Sequence, residues 1–259
     1  MSQRPGRLGI GIIGAGHVGP ILAAALAGAG HALTGISAIS QASRDRAEAI
    51  LPGVPVLTVP EVVERSELVI IAVPDDQLES LVNGLAATGT WQPGQLVLHT
   101  SARYGTNVLL PAQRNGAIPL AIHPAMSFTG TSLDISRLAD SYFAVTAPGP
   151  VLPIAQALVV EMGGEPVIVA EGDREVYAEA IETATAFSSS IVEQSTRLLN
   201  EIGIEYSGAV IAPLVRSAIE NALTRTGARH PLDDPTALHE ATHLLDPPYP
   251  PHPFDPEDQ

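Results

Sequence analysis

The chain has 259 residues, 45% hydrophobic and 16% charged, an apolar share that excludes a wholly disordered polypeptide. At roughly 150 residues per domain, its length allows one large domain and a smaller companion. Its 28 acidic and 13 basic residues leave a formal net charge of −15, which repels nucleic-acid phosphates and anionic membranes, so neither is expected as a partner. Cysteine is absent and all thirteen basic residues are arginine, which excludes disulfides, thiolate metal sites, cysteine nucleophiles and lysine chemistry together. No apolar run approaches the roughly 18 to 20 residues of a membrane span. The first apolar run is broken by Gly9, Gly11, Gly14 and Gly16, so it reads as a strand rather than a signal peptide, and a cytoplasmic protein is expected.

In chain order, Leu8 to Ile13 reads as a strand, followed by a glycine turn and an alanine-rich helix from Val18 to Ala27. Leu33 to Ile39 is the next strand, and Ser43 is placed as the cap of a helix running to Ile50. Val54 to Leu57 reads as a short strand, Pro60 to Arg65 as a helix, and Leu68 to Val73 as a buried parallel strand. Helix Asp75 to Ala87, strand Leu96 to His99, helix Asn107 to Arg114 and strand Leu120 to Ile122 follow. Strands Tyr142 to Thr146 and Val167 to Ala170 flank a helix from Leu152 to Met162. This alternation predicts an α/β fold, a Rossmann-type doubly wound and largely parallel sheet over residues 1–170. Two helices, Arg174 to Glu201 and Val210 to Thr224, then predict a smaller all-helical domain over 171–245 that carries substrate contacts and a homodimer interface. Residues 246–259 hold six prolines and four acids and read as a disordered tail.

Gly14-Ala15-Gly16-His17-Val18-Gly19 matches the dinucleotide fingerprint: one glycine for the turn, one to admit a pyrophosphate, one for close helix-strand packing. The pattern lies between an apolar strand and an apolar helix, whose amides and dipole favour phosphate. About 20 residues on, an NAD site usually carries an acid for the ribose hydroxyl. Here stand Ser37, Ser40, Ser43 and Arg44, with no acid before Asp45. Hydroxyls and a guanidinium suit a 2′-phosphate, so NADP is expected ahead of NAD. The alternative is that the serines only cap the next helix and Arg44 is solvated.

In an open parallel sheet the ligand lies beyond the carboxyl ends of the strands. Val73 and Pro74 are therefore assigned to the cofactor pocket together with Thr100, and Ser101 to the substrate or nicotinamide, unless it only caps a turn. His123, followed by Pro124, is the candidate acid or base: a neutral imidazole can take an alcohol proton as hydride leaves. A buried structural histidine is the rival reading.

The glycine loop, Ile70-Ile71-Ala72-Val73-Pro74-Asp75, His99-Thr100-Ser101 and, above all, Ala121-Ile122-His123-Pro124-Ala125-Met126-Ser127-Phe128-Thr129-Gly130 resemble an uncharacterised bacterial family. These are Rossmann-like oxidoreductases with a helical C-terminal domain of unknown function, similar to the 6-phosphogluconate dehydrogenase, pyrroline-5-carboxylate reductase and prephenate dehydrogenase superfamily. The resemblance spans about residues 8–225. It implies two domains, a nicotinamide cofactor, a cleft between domains and a dimer built from the helical part. By resemblance to prephenate dehydrogenases, His123 takes the place beside the hydride-donating carbon, with Ser101 nearby. The chain departs from the pattern where Ala178 and Ala186 replace a histidine and an asparagine, where Ser101-Ala102-Arg103-Tyr104-Gly105 replaces a small-residue turn, and where the superfamily's frequent lysine cannot occur.

Leu238-His239-Glu240-Ala241-Thr242-His243 spells a zincin pattern, with two histidines one helical turn apart. Pro247 ends the helix four residues later, and Asp246 or His252 could serve as third ligand only through an awkward loop, so no metal site is expected. The expected function is an NADP-dependent oxidoreductase acting on a small hydroxy or imino acid. The alternatives are an NADP-binding sensor without turnover and, last, a metalloprotease.

Overall fold

The computed structural model describes residues 7–226. The His239/His243 pair and the proline-rich tail lie outside the described residues. By packing, the chain divides into one unit ending at Ala186 and a second beginning at Phe187.

The first unit is built on seven strands in the order β2-β1-β3-β4-β5-β6-β7: β1 (Gly9–Ile13), β2 (Ala32–Ser37), β3 (Leu68–Ile71), β4 (Leu96–His99), β5 (Ile118–Pro124), β6 (Tyr142–Thr146) and β7 (Glu165–Ile168). All neighbours are parallel except β5 and β6, which pair antiparallel with His123 opposite Ala144. Continuous apolar runs make the strands because both faces are covered. In β3, Leu68 and Ile70 belong to one hydrophobic cluster and Val69 and Ile71 to the other. The first cluster takes in residues of α1 (Gly19–Gly28), α2 (Gln41–Ile50) and α7 (Leu152–Glu161). Its counterpart takes in residues of α3 (Val59–Glu64), α4 (Asp75–Ala87) and α5 (Leu110–Arg114).

Three local readings are corrected by hydrogen bonding. Residues 54–57 form no strand; Val56 makes one isolated parallel bridge to Ile36, with Ile36 and Leu57 amides donating to Pro55 and Ile36 carbonyls. Helix α2 is capped by Ser40, whose side chain accepts from the Ser43 amide at 3.1 Å, so the cap lies three residues before the expected one. A short helix α6 (Leu133–Leu138) was not anticipated. Its start is organised by Asp134, fully buried, which accepts from the amides of Thr129 and Gly130 at 2.7 and 2.8 Å. Burial alone would raise the Asp134 carboxyl, but these donors outweigh it and hold the group below the usual range.

After β7 the strand pattern ends and α8 (Arg174–Glu201) begins. The packing division falls inside this helix, because Arg174 and Ala178 are buried in its first turns while Phe187 is 65% exposed. The second unit contains the rest of α8 and α9 (Ser207–Arg225), joined through a turn in which Gly203 has φ +80°. Among the described residues no helix is long and apolar enough to cross a membrane.

Candidate functional site

The sheet order reverses between β1 and β3, which places a crevice where their carboxyl ends diverge, the usual position for a ligand in such sheets. A cavity of about 500 Å³ occupies it, lined by Ile13 to Gly16, by Ser37 at the end of β2 and Ile39, Ser40 and Ser43 after it, and by Ala72, Val73, Pro74 and the first turns of α4. The three fingerprint glycines are each explained by geometry. Gly14 has φ +104°, and a Cβ there would strike the Ala72 carbonyl oxygen. A Cβ on Gly19 would strike the Gly14 carbonyl, so this glycine lets α1 approach the loop. Gly16 differs: a Cβ there would meet no protein atom within 4 Å, so nothing internal requires a glycine. It is the position where a side chain would fill the cleft. Between them, Ala15 is buried, His17 is exposed, and the Val18 carbonyl accepts the Ile21 and Leu22 amides at the start of α1.

Ser37, the last residue of β2, is 7% exposed, and beyond the strand Ser40 and Ser43 both line the cavity while hydrogen bonding to one another at the α2 cap. No carboxylate lines the cavity. Arg44 is exposed and is not part of the lining. The guanidinium that reaches the glycine loop is Arg46, which donates to the Ala15 carbonyl at 3.0 Å; sequence reasoning passed over it, although it lies only two residues beyond Arg44. Val73 and Pro74 line the cavity as expected of them, whereas Thr100, Ser101 and His123 do not.

The ends of β4 and β5 form a second cluster. His99, fully buried, accepts the Ser101 amide on Nδ1 at 3.2 Å, so its Nε2–H donates to the Gly105 carbonyl at 2.8 Å. The Ser101 hydroxyl accepts the Arg103 and Tyr104 amides at 3.2 and 3.3 Å, which is the turn-capping arrangement. His123 is half-buried at the end of β5, with Nδ1 2.8 Å from the Tyr177 hydroxyl and the two rings edge to face at 78°. Behind them lies Arg174, 1% exposed. It donates to the Thr146 hydroxyl at 2.8 Å, to the Ala121 and Ala144 carbonyls at 2.9 and 3.2 Å, and to the Ser101 carbonyl at 3.5 Å. Its guanidinium carbon is 5.8 Å from the Tyr177 ring centre, and among the described residues no carboxylate is within ion-pair distance of it.

These positions set the charge states. Burial, reinforced by Arg174, pushes His123 down to about 4. His99 is likewise pushed down to about 4, by burial first and then by Arg174 and His123, against its Gly105 bond. Burial lowers Arg174 to about 10 and raises the Tyr177 phenol. At pH 7 the cluster therefore consists of two neutral imidazoles, a neutral phenol and a cation. Tyr177 and Arg174 were not singled out from the sequence as members of it; the only signal was their place in the first turn of a helix that follows the last strand.

Sheet order, glycine loop and helical C-terminal part together define a protein with a Rossmann-like domain. Residues 1–124 match the Rossmann-like domain family, and residues 141–236 match Domain of unknown function (DUF2520). The two matches follow one another along the chain, a Rossmann-like domain model and then DUF2520. No curated protein sequence matches it. Among solved structures, the chain is similar to BF3122 of Bacteroides fragilis, a candidate NADP oxidoreductase, at 17% identity over 92% of this chain and 96% of that one, with a TM-score of 0.69. Pyrroline-5-carboxylate reductase of Streptococcus pyogenes is similar at 19% identity, 93% and 86% coverage and a TM-score of 0.63. An imine reductase of Myxococcus stipitatus, solved with NADP+, is similar at 18% identity, 85% and 77% coverage and a TM-score of 0.60. At these identities the likeness is one of fold.

Proposed function

We propose that this protein is an NADP-dependent oxidoreductase acting on a small hydroxy or imino acid. The observation that carries the reading is the glycine loop, in which Gly14 and Gly19 are required by the protein's own packing while Gly16 leaves open space at a cleft. Loop amides and the start of α1 would hold a pyrophosphate there. Ser37, Ser40 and Ser43, with no carboxylate among the lining residues, would face the ribose end and tolerate a 2′-phosphate. Bound in this way, a nicotinamide dinucleotide supplies or accepts a hydride. The relatives of the same fold that carry NADP in their names point the same way.

His123, at the end of β5, is the residue assigned to proton transfer; it is neutral at pH 7 and backed by Tyr177. The buried Arg174 charge beside it favours an anionic substrate, such as a carboxylic acid. A reading as a sensor without turnover is favoured by Ser101, whose hydroxyl is engaged by two loop amides. The second unit exposes Phe187, Ile191, Leu198, Ile202, Val210 and Leu214 to between 53% and 74%, an apolar surface that supports a homodimer through this part.

The test is fluorescence titration with NADPH and, separately, NADH. Saturable binding with NADPH favoured at least about tenfold, some 1.4 kcal/mol, is expected; no binding of either at millimolar concentration overturns the reading. His123→Ala should retain cofactor affinity and lose turnover, whereas a sensor shows no turnover across a panel of hydroxy and imino acids.

A further inference from the structure

The His123–Tyr177 pair carries an inference about the direction in which the proton moves. Among the described residues, the Tyr177 hydroxyl has one hydrogen-bond partner, His123 Nδ1 at 2.8 Å, and His123 Nε2 has none. Two arrangements satisfy that distance. Either the phenol donates to a bare Nδ1, or Nδ1–H donates to the phenol oxygen and leaves the phenol proton without an acceptor in the protein. A phenol is the better donor and a neutral imidazole nitrogen the better acceptor, so the first arrangement pairs the phenol proton and leaves only the Nε2–H free for a ligand. It leaves the ring's single N–H proton on Nε2.

We propose that Tyr177 is a positioning residue that holds His123 as the Nε2–H tautomer, so that His123 offers a proton to an acceptor atom of the substrate. That is the polarity needed to reduce a carbonyl or an imine. The catalytic half of this inference rests on the oxidoreductase reading; the tautomer does not. In the reducing direction a bound dihydronicotinamide would supply the hydride to the substrate carbon, and the oxygen or nitrogen of the substrate would take its proton from His123. The Nε2–H bond breaks as the new O–H or N–H bond forms, while the Tyr177 O–H bond breaks and its proton passes to Nδ1. The imidazole stays neutral throughout, which matters in a site where burial and Arg174 disfavour imidazolium. The phenolate charge, opposed by burial, is offset by the Arg174 guanidinium 5.8 Å from the ring centre; the pair resets when Nδ1 returns its proton to the phenolate oxygen and Nε2 takes one from solvent. A base acting on an alcohol would need the opposite state, a bare Nε2, and the Tyr177 hydrogen bond works against it.

The experiment is heteronuclear NMR of the full chain with isotope-labelled histidine, without ligand, at pH 7, with His123 assigned by loss of its signals in His123→Gln. The expected result is a proton on Nε2 and a bare Nδ1 in the wild type, and a mixed or inverted tautomer in Tyr177→Phe. A wild-type ring protonated on Nδ1, or a tautomer ratio unchanged in Tyr177→Phe, overturns the assignment. That measurement decides it alone. With a carbonyl or imino acid panel, Tyr177→Phe should lower kcat at least about tenfold with KM and NADPH affinity unchanged. Absence of turnover in the wild type would defeat the oxidoreductase reading and leave the tautomer result standing.

Discussion

Replacing Arg174 by alanine removes three short hydrogen bonds from a charged donor, to the Thr146 hydroxyl and the Ala121 and Ala144 carbonyls. Bonds to charged groups contribute about 1.5–3 kcal/mol each, so the gross loss is about 5–9 kcal/mol. Returning a guanidinium to water in the unfolded chain recovers several kcal/mol of desolvation in the wild type, and the variant no longer has that cost. A net destabilisation of about 3 kcal/mol is expected. Arg174→Met refills the space of the stem and should lose less, about 1–2 kcal/mol. The assay is urea unfolding followed by tryptophan fluorescence. Trp91 is the single tryptophan; it is 3% exposed in the first unit and donates to the Val82 carbonyl, so its signal reports that unit directly. An alanine variant within about 0.5 kcal/mol of wild type would refute the inference that this guanidinium ties together β5, β6 and the segment after β4.

The glycine loop makes a paired prediction. Gly14→Ala, at φ +104° and against the Ala72 carbonyl, should cost at least about 2 kcal/mol, whereas Gly16→Ala should unfold within about 0.5 kcal/mol of wild type and yet bind NADPH at least about tenfold more weakly, as read by titration. The histidines set an acid limit. Because His99 and His123 are lowered from 6.5 to about 4, the unfolded chain binds more protons between those values. Their stabilising contribution, up to about 3 kcal/mol each, is therefore complete above pH 6.5 and lost as pH falls through about 4, measurable as a falling urea midpoint. In the second unit, the proposed homodimer predicts that wild type sediments as a dimer and that Leu214→Glu, on the exposed face of α9, shifts it to monomer while leaving the Trp91 unfolding curve unchanged; a wild-type monomer, or a dimer that persists in the variant, would refute this interface.

Much of this arrangement is legible in the sequence because its cause is local. Runs such as Leu68 to Ile71 have no polar member, and a strand covered on both faces requires that, whatever packs on it. The Gly14, Gly16 and Gly19 spacing announces a turn and a helix start, and the cleft forms against it. Less was legible where hydrogen bonds compete over short distances. Ser40 and Ser43 are both good caps, and only the backbone geometry, extended at Ser40, selects the first. Likewise Val54 to Leu57 has strand composition but makes one bridge, from Val56 to Ile36 on the outer edge of β2.

The sequence by itself determined the alternation of strands and helices, the phosphate-type loop, the absence of lysine and thiol chemistry, and the place of His123 at a strand end. Only the tertiary structure decided which side chains attend it. Tyr177 is 54 residues from His123 along the chain, and Arg174 reaches Ser101 across 73, in contacts with no local periodicity to reveal them. The same is true of Arg46, which meets the glycine loop where the nearer-looking Arg44 does not. Composition and spacing report what a segment does with its own backbone. The protonation state of an imidazole depends on burial and on a charge brought from another element, and these exist only once the chain has folded.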